Sequence, residues 1–249
     1  MTTGVETSRY AARYPELGKL VEGLSRALGN RLQAMVLYGS AARGDARKGG
    51  SDLNIVVVID RLDVEALETM APALTRWTRA GQPLPRMLTP ALIAESADVF
   101  PIEFHDIRSH GVTLHGANPF AQCAVSKGPL RLQCEREMRE KMMRLREGYV
   151  LCHDKPKELV RLMTASWGSF AAIFRGCLHL MNDEVPVHDV DVVEAFCRTA
   201  RLEKAPLLEV GRLKEKGRAD DPRALFLRYY QRLQEAVRSV DRFQGGASS

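Results

Sequence analysis

Two short stretches contain the residue types that handle phosphate and metal chemistry. The first is Leu37-Tyr38-Gly39-Ser40-Ala41-Ala42-Arg43-Gly44-Asp45, and the second is Gly49-Gly50-Ser51-Asp52-Leu53-Asn54-Ile55-Val56. A glycine lets backbone approach a phosphate closely, and a serine hydroxyl with free amides at a helix start donates to phosphate oxygens. Twelve residues after Ser40, Asp52 opens an apolar β-branched run. A carboxylate at a strand end beside such a turn is placed to hold a divalent cation against the same phosphates. Positions 52 and 54 are two apart, so on a strand they share a face. Arg43 and Arg47 follow the Gly-Ser turn within reach of a bound phosphate, although surface positions suit them equally.

These groups need elements to hold them. The apolar run Ala34–Tyr38 reads as a buried strand, and Leu53–Ile59 as a central strand covered on both faces. Pro15–Leu28 carries Leu17, Leu20, Val21, Leu24 and Leu28 at helical spacing. Val64–Ala80 reads as a helix broken or kinked near Pro72, Leu84–Leu88 as a strand and Pro90–Ala97 as a short helix. Ile102–Ile107 reads as a third main strand, and Val112–Leu114 as an edge strand. In that strand reading, Glu103 and Asp106 point to opposite faces. Pro119, Gly128 and Pro129 mark a boundary. The expected division is therefore a mixed-sheet domain over 1–120 and an all-helical bundle over 121–249. In the second half Cys134, Met138, Met142, Leu145, Tyr149 and Cys152 form one helix face. Further helices are expected from about Pro156 to Met181, Val190 to Thr199 and Leu207 to Glu215. The last opens at the Asp221-Pro222 N-cap and N1 pair.

The Gly-Ser turn, the dozen-residue spacing and the Ser-Asp-Leu-Asn strand opening resemble the signature of the nucleotidyltransferase superfamily related to DNA polymerase beta. The Ser-Ala-Ala-Arg-Gly continuation strengthens the likeness. Aminoglycoside or kanamycin nucleotidyltransferase-like proteins and minimal nucleotidyltransferases are the nearest groups. The resemblance implies an α/β fold with helices on a mixed sheet. It implies three acidic residues that bind one or two Mg²⁺ and a nucleoside triphosphate such as ATP. The first acid falls on Asp52. The second falls on Asn54, a neutral amide, and this is where the sequence departs from the pattern. The third lies on a later strand, for which Glu103 is the candidate and Asp106 the alternative. Gly39, Ser40 and Arg43 fall at the phosphates. The implied reaction moves a nucleoside monophosphate from the triphosphate to an acceptor hydroxyl and releases pyrophosphate. Asn54 leaves a second reading open, a catalytically impaired nucleotide-binding or regulatory, antitoxin-like module. In related enzymes a helical domain supplies substrate contacts and a general base. Glu135, Arg139 and Lys141 are the candidates here, although i,i+4 pairs on a solvated helix face explain them as well.

Composition narrows the partners. Lys and Arg total 36 against 31 Asp and Glu, and the whole excess lies beyond residue 120, where 23 basic residues face 18 acidic ones. That suits an anionic ligand and is too sparse for a nucleic-acid stripe. No apolar run reaches the ~18 residues of a membrane span. The N-terminal residues lack a secretory pattern, and five cysteines without a CxxC pair read as reduced thiols. A cytoplasmic protein is expected, and a homodimer stays open. His105 reads as packing, and Trp167 and Phe170 as helix core.

Overall fold

The computed structural model describes residues 2–45, 52–181 and 184–242. Gly49, Gly50, Ser51 and Arg47 of the sequence motif lie outside them. The chain divides into two compact units, residues 1–126 and 127–249.

The first unit is a four-stranded mixed sheet with helices on both faces. Its strands are β1 (Leu32–Tyr38), β2 (Asn54–Ile59), β3 (Arg86–Leu88) and β4 (Val112–Gly116). They lie in the order β3-β2-β1-β4. β1 runs antiparallel to β2 and β4, whereas β2 and β3 are parallel. The two central strands coincide with the apolar run read as a buried strand and the β-branched run read as covered on both faces.

Side-chain alternation sorts the core into two layers. Met35, Leu37, Ile55, Val57 and Ile59 face one side, with Leu17, Leu20, Leu24, Met70 and Trp77. Those partners come from α2 (Pro15–Leu28) and α4 (Val64–Arg79). α2 begins with Pro15 and stops at Gly29, whose φ of 53° favours glycine. α4 is capped by Asp63, whose carboxylate accepts from the Ala66 amide at 2.8 Å, and Pro72 lies inside it. α1 (Thr2–Arg13) precedes α2 and packs on β4. The sequence reading began its helices only at Pro15.

Ala34, Val36, Val56 and Val58 face the other side, against Ile93, Phe104, Ile107 and Phe120. This layer holds the main correction to the sequence reading. Residues 102–107 are not a strand: they belong to helix α6 (Pro101–His110), which follows α5 (Pro90–Glu95). Pro101 sits in the first turn, and Pro101, Phe104, His105 and Ile107 are the buried positions, a helical spacing. The run Ile-Glu-Phe-His alternates apolar and polar over four residues, too few to separate a strand from one helix face. On a helix, positions 103 and 106 are one turn apart on the same side, so the expected opposition of Glu103 and Asp106 is also corrected.

The second unit is all helix: α7 (Lys127–Cys152), α8 (Pro156–Leu180), α9 (Asp189–Ala200), α10 (Ala205–Lys216) and α11 (Pro222–Arg242). Asp221 accepts from the Ala224 amide at 3.0 Å, as its N-cap position requires. Trp167 and Phe170 are core, and the Trp167 ring nitrogen donates to the Leu207 carbonyl at 2.7 Å. The five cysteines are free thiols, four of them buried. No helix among the described residues is long and apolar enough to cross a membrane.

α6 is held to the sheet chiefly by Phe104 and Ile107, both fully buried. Phe104→Ala is expected to lower stability by about 3–5 kcal/mol through lost burial and a residual cavity. Urea unfolding measures it. A loss below about 1 kcal/mol would mean that α6 does not dock on the sheet as described.

Candidate functional site

The C-terminal end of β1 meets the N-terminal end of β2, where Tyr38 is the cross-strand partner of Asn54. The chain then turns at Gly39, with φ 75° and ψ −156°, into the four-residue helix α3 (Ser40–Arg43). A Cβ at Gly39 would sit 3.2 Å from Asn54 Nδ2. Glycine is required there by backbone conformation, and it brings the turn against the Asn54 amide. Ser40 is half-buried at the start of α3, and Asp52 is exposed two residues ahead of β2. Between them, the Leu53 amide donates to Gln82 Oε1 at 2.9 Å, so Gln82 fixes the entry to β2. Tyr10 from α1 braces α3 by donating to the Ala42 carbonyl at 3.1 Å.

α6 reaches the same turn. Arg43 Nη1 donates to both oxygens of Asp106, at 2.7 and 2.9 Å, and the Gly39 amide donates to Asp106 Oδ2 at 3.2 Å. Asp45 lies 3.6 Å from Arg43 Nε, and His110 Nδ1 lies 3.4 Å from Asp106 Oδ1. The Arg43 side chain is 6% exposed and that of Asp106 13%. Arg43 and the Gly39 amide, both assigned to phosphate from the sequence, therefore hold an internal carboxylate. Asp106 enters the candidate site as the partner of Arg43, a role with no sequence signature because it depends on α6 being a helix.

Glu103, one turn before Asp106, lies on the same side of the sheet as Asn54, since α6 covers the face of even-numbered strand positions. Its carboxylate accepts from Arg86 Nη2 at 3.3 Å. Arg86 is the first residue of β3 and the lateral partner of Val56, so it shares the face of Asn54. It also lies over the Phe100 ring, with its guanidinium carbon 5.3 Å from the centroid. Burial pushes the Tyr38 hydroxyl above its ordinary pKa, an effect that nearby Arg86 partly offsets.

The strands after β2 are Arg-Met-Leu and Val-Thr-Leu-His-Gly. Neither carries an acid, so among the described residues no later strand supplies a third carboxylate. The described residues contain no group of three or more His, Cys, Asp or Glu that could hold a metal ion. Asp52, the Asn54 amide and a Glu103 carboxylate engaged by Arg86 do not fit a two-ion Mg²⁺ site while that contact holds. In the helical unit, Glu135 is tied to Arg131 at 2.9 Å, and Lys141 lies 3.7 Å from Glu137. These are helix-face pairs and leave the general-base candidates without specific support. His105 is buried on α6.

A family model of the nucleotidyltransferase domain matches residues 17–79, which span α2, β1, the Gly39 turn, β2 and α4. Residues 17–79 are thus similar to a nucleotidyltransferase domain. Among solved structures, spectinomycin adenyltransferase from Enterococcus faecialis, crystallised with ATP and spectinomycin, superposes with a TM-score of 0.53 at 12% identity. The match covers 89% of this chain and 99% of that one. At that identity the likeness concerns the fold. No curated protein sequence matches significantly. The matched stretch contains the Gly-Ser turn and the apolar β2 on which the resemblance read from the sequence rests.

Removing Asp106 takes the bidentate acceptor from the buried Arg43 guanidinium and leaves it only the longer contact to Asp45. Asp106→Asn is expected to cost about 3–5 kcal/mol of stability. The Arg43→Met/Asp106→Asn double variant should recover part of that loss. A double-mutant cycle by chemical denaturation reads the coupling, expected at about 2 kcal/mol or more. Additive single effects would show that the contact does not hold α6 to the turn.

Proposed function

We propose that the chain binds a nucleoside triphosphate at the Gly39-Ser40 turn beside Asp52 and Asn54. Its transfer of the nucleoside monophosphate to an acceptor hydroxyl is attenuated relative to a site with three carboxylates. The nucleotidyltransferase domain match and a structural neighbour solved with ATP and a small acceptor support the nucleotide part. One observation carries the attenuation: β3 sets Arg86, a cation, on the face of Asn54 next to β2. Arg86 engages Glu103, the residue that the resemblance offers as third acid, and Asn54 has already removed the second.

The chain's own groups would act by positioning. Ser40 and the backbone of the turn would orient the phosphates, and Asp52 remains the one motif carboxylate available to a cation. A second reading, a competent enzyme that uses Glu103 as third ligand, is favoured by α6 bringing Glu103 onto the Asn54 face. It requires the contact from Arg86 to open.

Calorimetry with ATP, with and without Mg²⁺, tests the binding, and labelled-triphosphate assays with small hydroxyl acceptors test transfer. Binding to the wild type is expected, with turnover well below about 1 s⁻¹. Asn54→Asp combined with Arg86→Glu is expected to raise turnover, by about tenfold for each ~1.4 kcal/mol gained in the transition state. A wild type that already turns over at ordinary enzyme rates and collapses in Glu103→Gln would establish the second reading. Absence of ATP binding under both conditions would refute the nucleotide assignment.

A further inference from the structure

Two guanidiniums flank the Gly39 turn, and they are held differently. Arg43 makes two contacts of 2.7 and 2.9 Å to Asp106, and both side chains are nearly closed to water. A buried two-pronged pair does not exchange partners easily, because parting it takes a desolvated charge from its main acceptor. Arg86 makes one longer contact to a carboxylate, 3.3 Å from its Nη2 to Glu103 Oε1, and its side chain is 42% exposed. An exposed pair of this kind contributes little and is open to competition from another anion.

Arg86 is also placed by groups other than Glu103. The pairing of β3 with β2 sets its backbone beside Val56. The Phe100 ring lies under its guanidinium and orients the plane by cation–π attraction, which leaves the donor edge to anions. The side chain reaches across β2 towards β1 as well. Burial raises the pKa of the Tyr38 hydroxyl, and Arg86 works against that rise through its charge and a hydrogen bond. Tyr38 is the cross-strand partner of Asn54 and the residue before Gly39. On α6, Glu103 stands one turn before Asp106, the carboxylate that holds the Gly39 amide. Arg86 thus approaches the turn from two directions, along β1 through Tyr38 and along α6 through Glu103.

We infer that Arg86 binds the phosphates of a nucleoside triphosphate seated at the turn, and that the nucleotide takes its guanidinium from Glu103. The inference rests on the nucleotide reading given above and adds to it a residue that selects for the polyphosphate. Phosphate oxygens offer a guanidinium the same two-pronged geometry as a carboxylate, and a triphosphate carries more negative charge than one glutamate. Arg43 is already engaged by Asp106, so Arg86 is the guanidinium at the turn that exchanges. A protein cation there neutralises phosphate charge that Asn54 no longer helps a metal ion to neutralise. The exchange also acts on Glu103. Once Arg86 has moved to the phosphates, Glu103 is released from it on the face of Asn54, so the nucleotide itself opens the contact that a competent enzyme would need open.

Calorimetry with ATP and AMP in EDTA, where no divalent ion assists, tests this. The wild type is expected to bind ATP, more weakly as salt rises. Arg86→Gln is expected to weaken ATP binding by about tenfold or more, with a smaller loss for AMP, and Arg86→Lys to recover part of it. Glu103→Gln is expected to bind ATP roughly two- to fivefold more tightly, because the competing carboxylate is gone. A purely structural role for Arg86 would weaken ATP and AMP alike and would gain nothing from Glu103→Gln. Far-ultraviolet circular dichroism checks that the variants keep the wild-type fold. In the Asn54→Asp/Arg86→Glu protein, the gain in turnover is expected to come with a higher KM for ATP. The inference is overturned if Arg86→Gln binds ATP like the wild type, if ATP and AMP lose equally, or if Glu103→Gln binds ATP no more tightly. A wild type that binds ATP only with Mg²⁺ overturns it as well, since a metal ion then supplies the charge. Each of these results leaves the nucleotide assignment standing, whereas a wild type that binds no ATP with or without Mg²⁺ removes both.

Discussion

The contact between Arg43 and Asp106 joins elements that are distant in sequence and sets the geometry of the candidate site. Asp106 accepts from the Arg43 guanidinium and from the Gly39 amide, so one carboxylate ties α6 to the turn between β1 and α3. The pair is largely shielded from water, which makes it stronger than a surface ion pair and makes either half costly to leave alone. Because α6 is anchored there, Glu103 is carried to the same face of the sheet as Asn54, and Arg86 has a carboxylate to hold. The same anchorage has a chemical consequence. Donors that sequence reasoning assigns to a phosphate are engaged by an internal anion, so an incoming phosphate meets a turn whose charge is already balanced.

Much of the sheet was legible in the sequence because its signals are local. β1 and β2 are uninterrupted β-branched or apolar runs, and α2 is an amphipathic helix bounded by Pro15 and Gly29. Asp221-Pro222 marks the start of α11 unaided. Residues 102–107 were not legible, because four alternating residues fit either period. The helix was settled by Pro101 in the first turn and by the burial of Phe104 and Ile107 against β1 and β2. Tertiary packing decided between two local readings, and the third-acid assignment on a strand fell with the choice. Arg86 was invisible as a site residue for another reason. Its position beside Asn54 follows from the parallel pairing of β3 with β2, a long-range fact that a three-residue strand cannot announce.

The charge pattern around Asn54 differs from a site that gathers cations. Asp52 stands exposed at the entry to β2. Asp106 and Glu103 each face a guanidinium, and Asn54 lies against the backbone of Gly39. The departure at Asn54 is therefore not an isolated substitution in an otherwise intact ligand set. It is accompanied by a strand that offers a cation and by a helix whose acids are engaged. Each of these groups alters a different part of the negative field around the turn.

The place of β3 in the sheet has one more consequence. The sheet has two edges, β3 and β4, and exposed strand edges invite pairing with other chains. β4 is covered by α1. β3 is three residues long, and a charged side chain begins it. A strand so short offers little template for another backbone. The brevity of β3 thus limits the open border of the fold, and lengthening that strand would give other chains a longer edge to pair with.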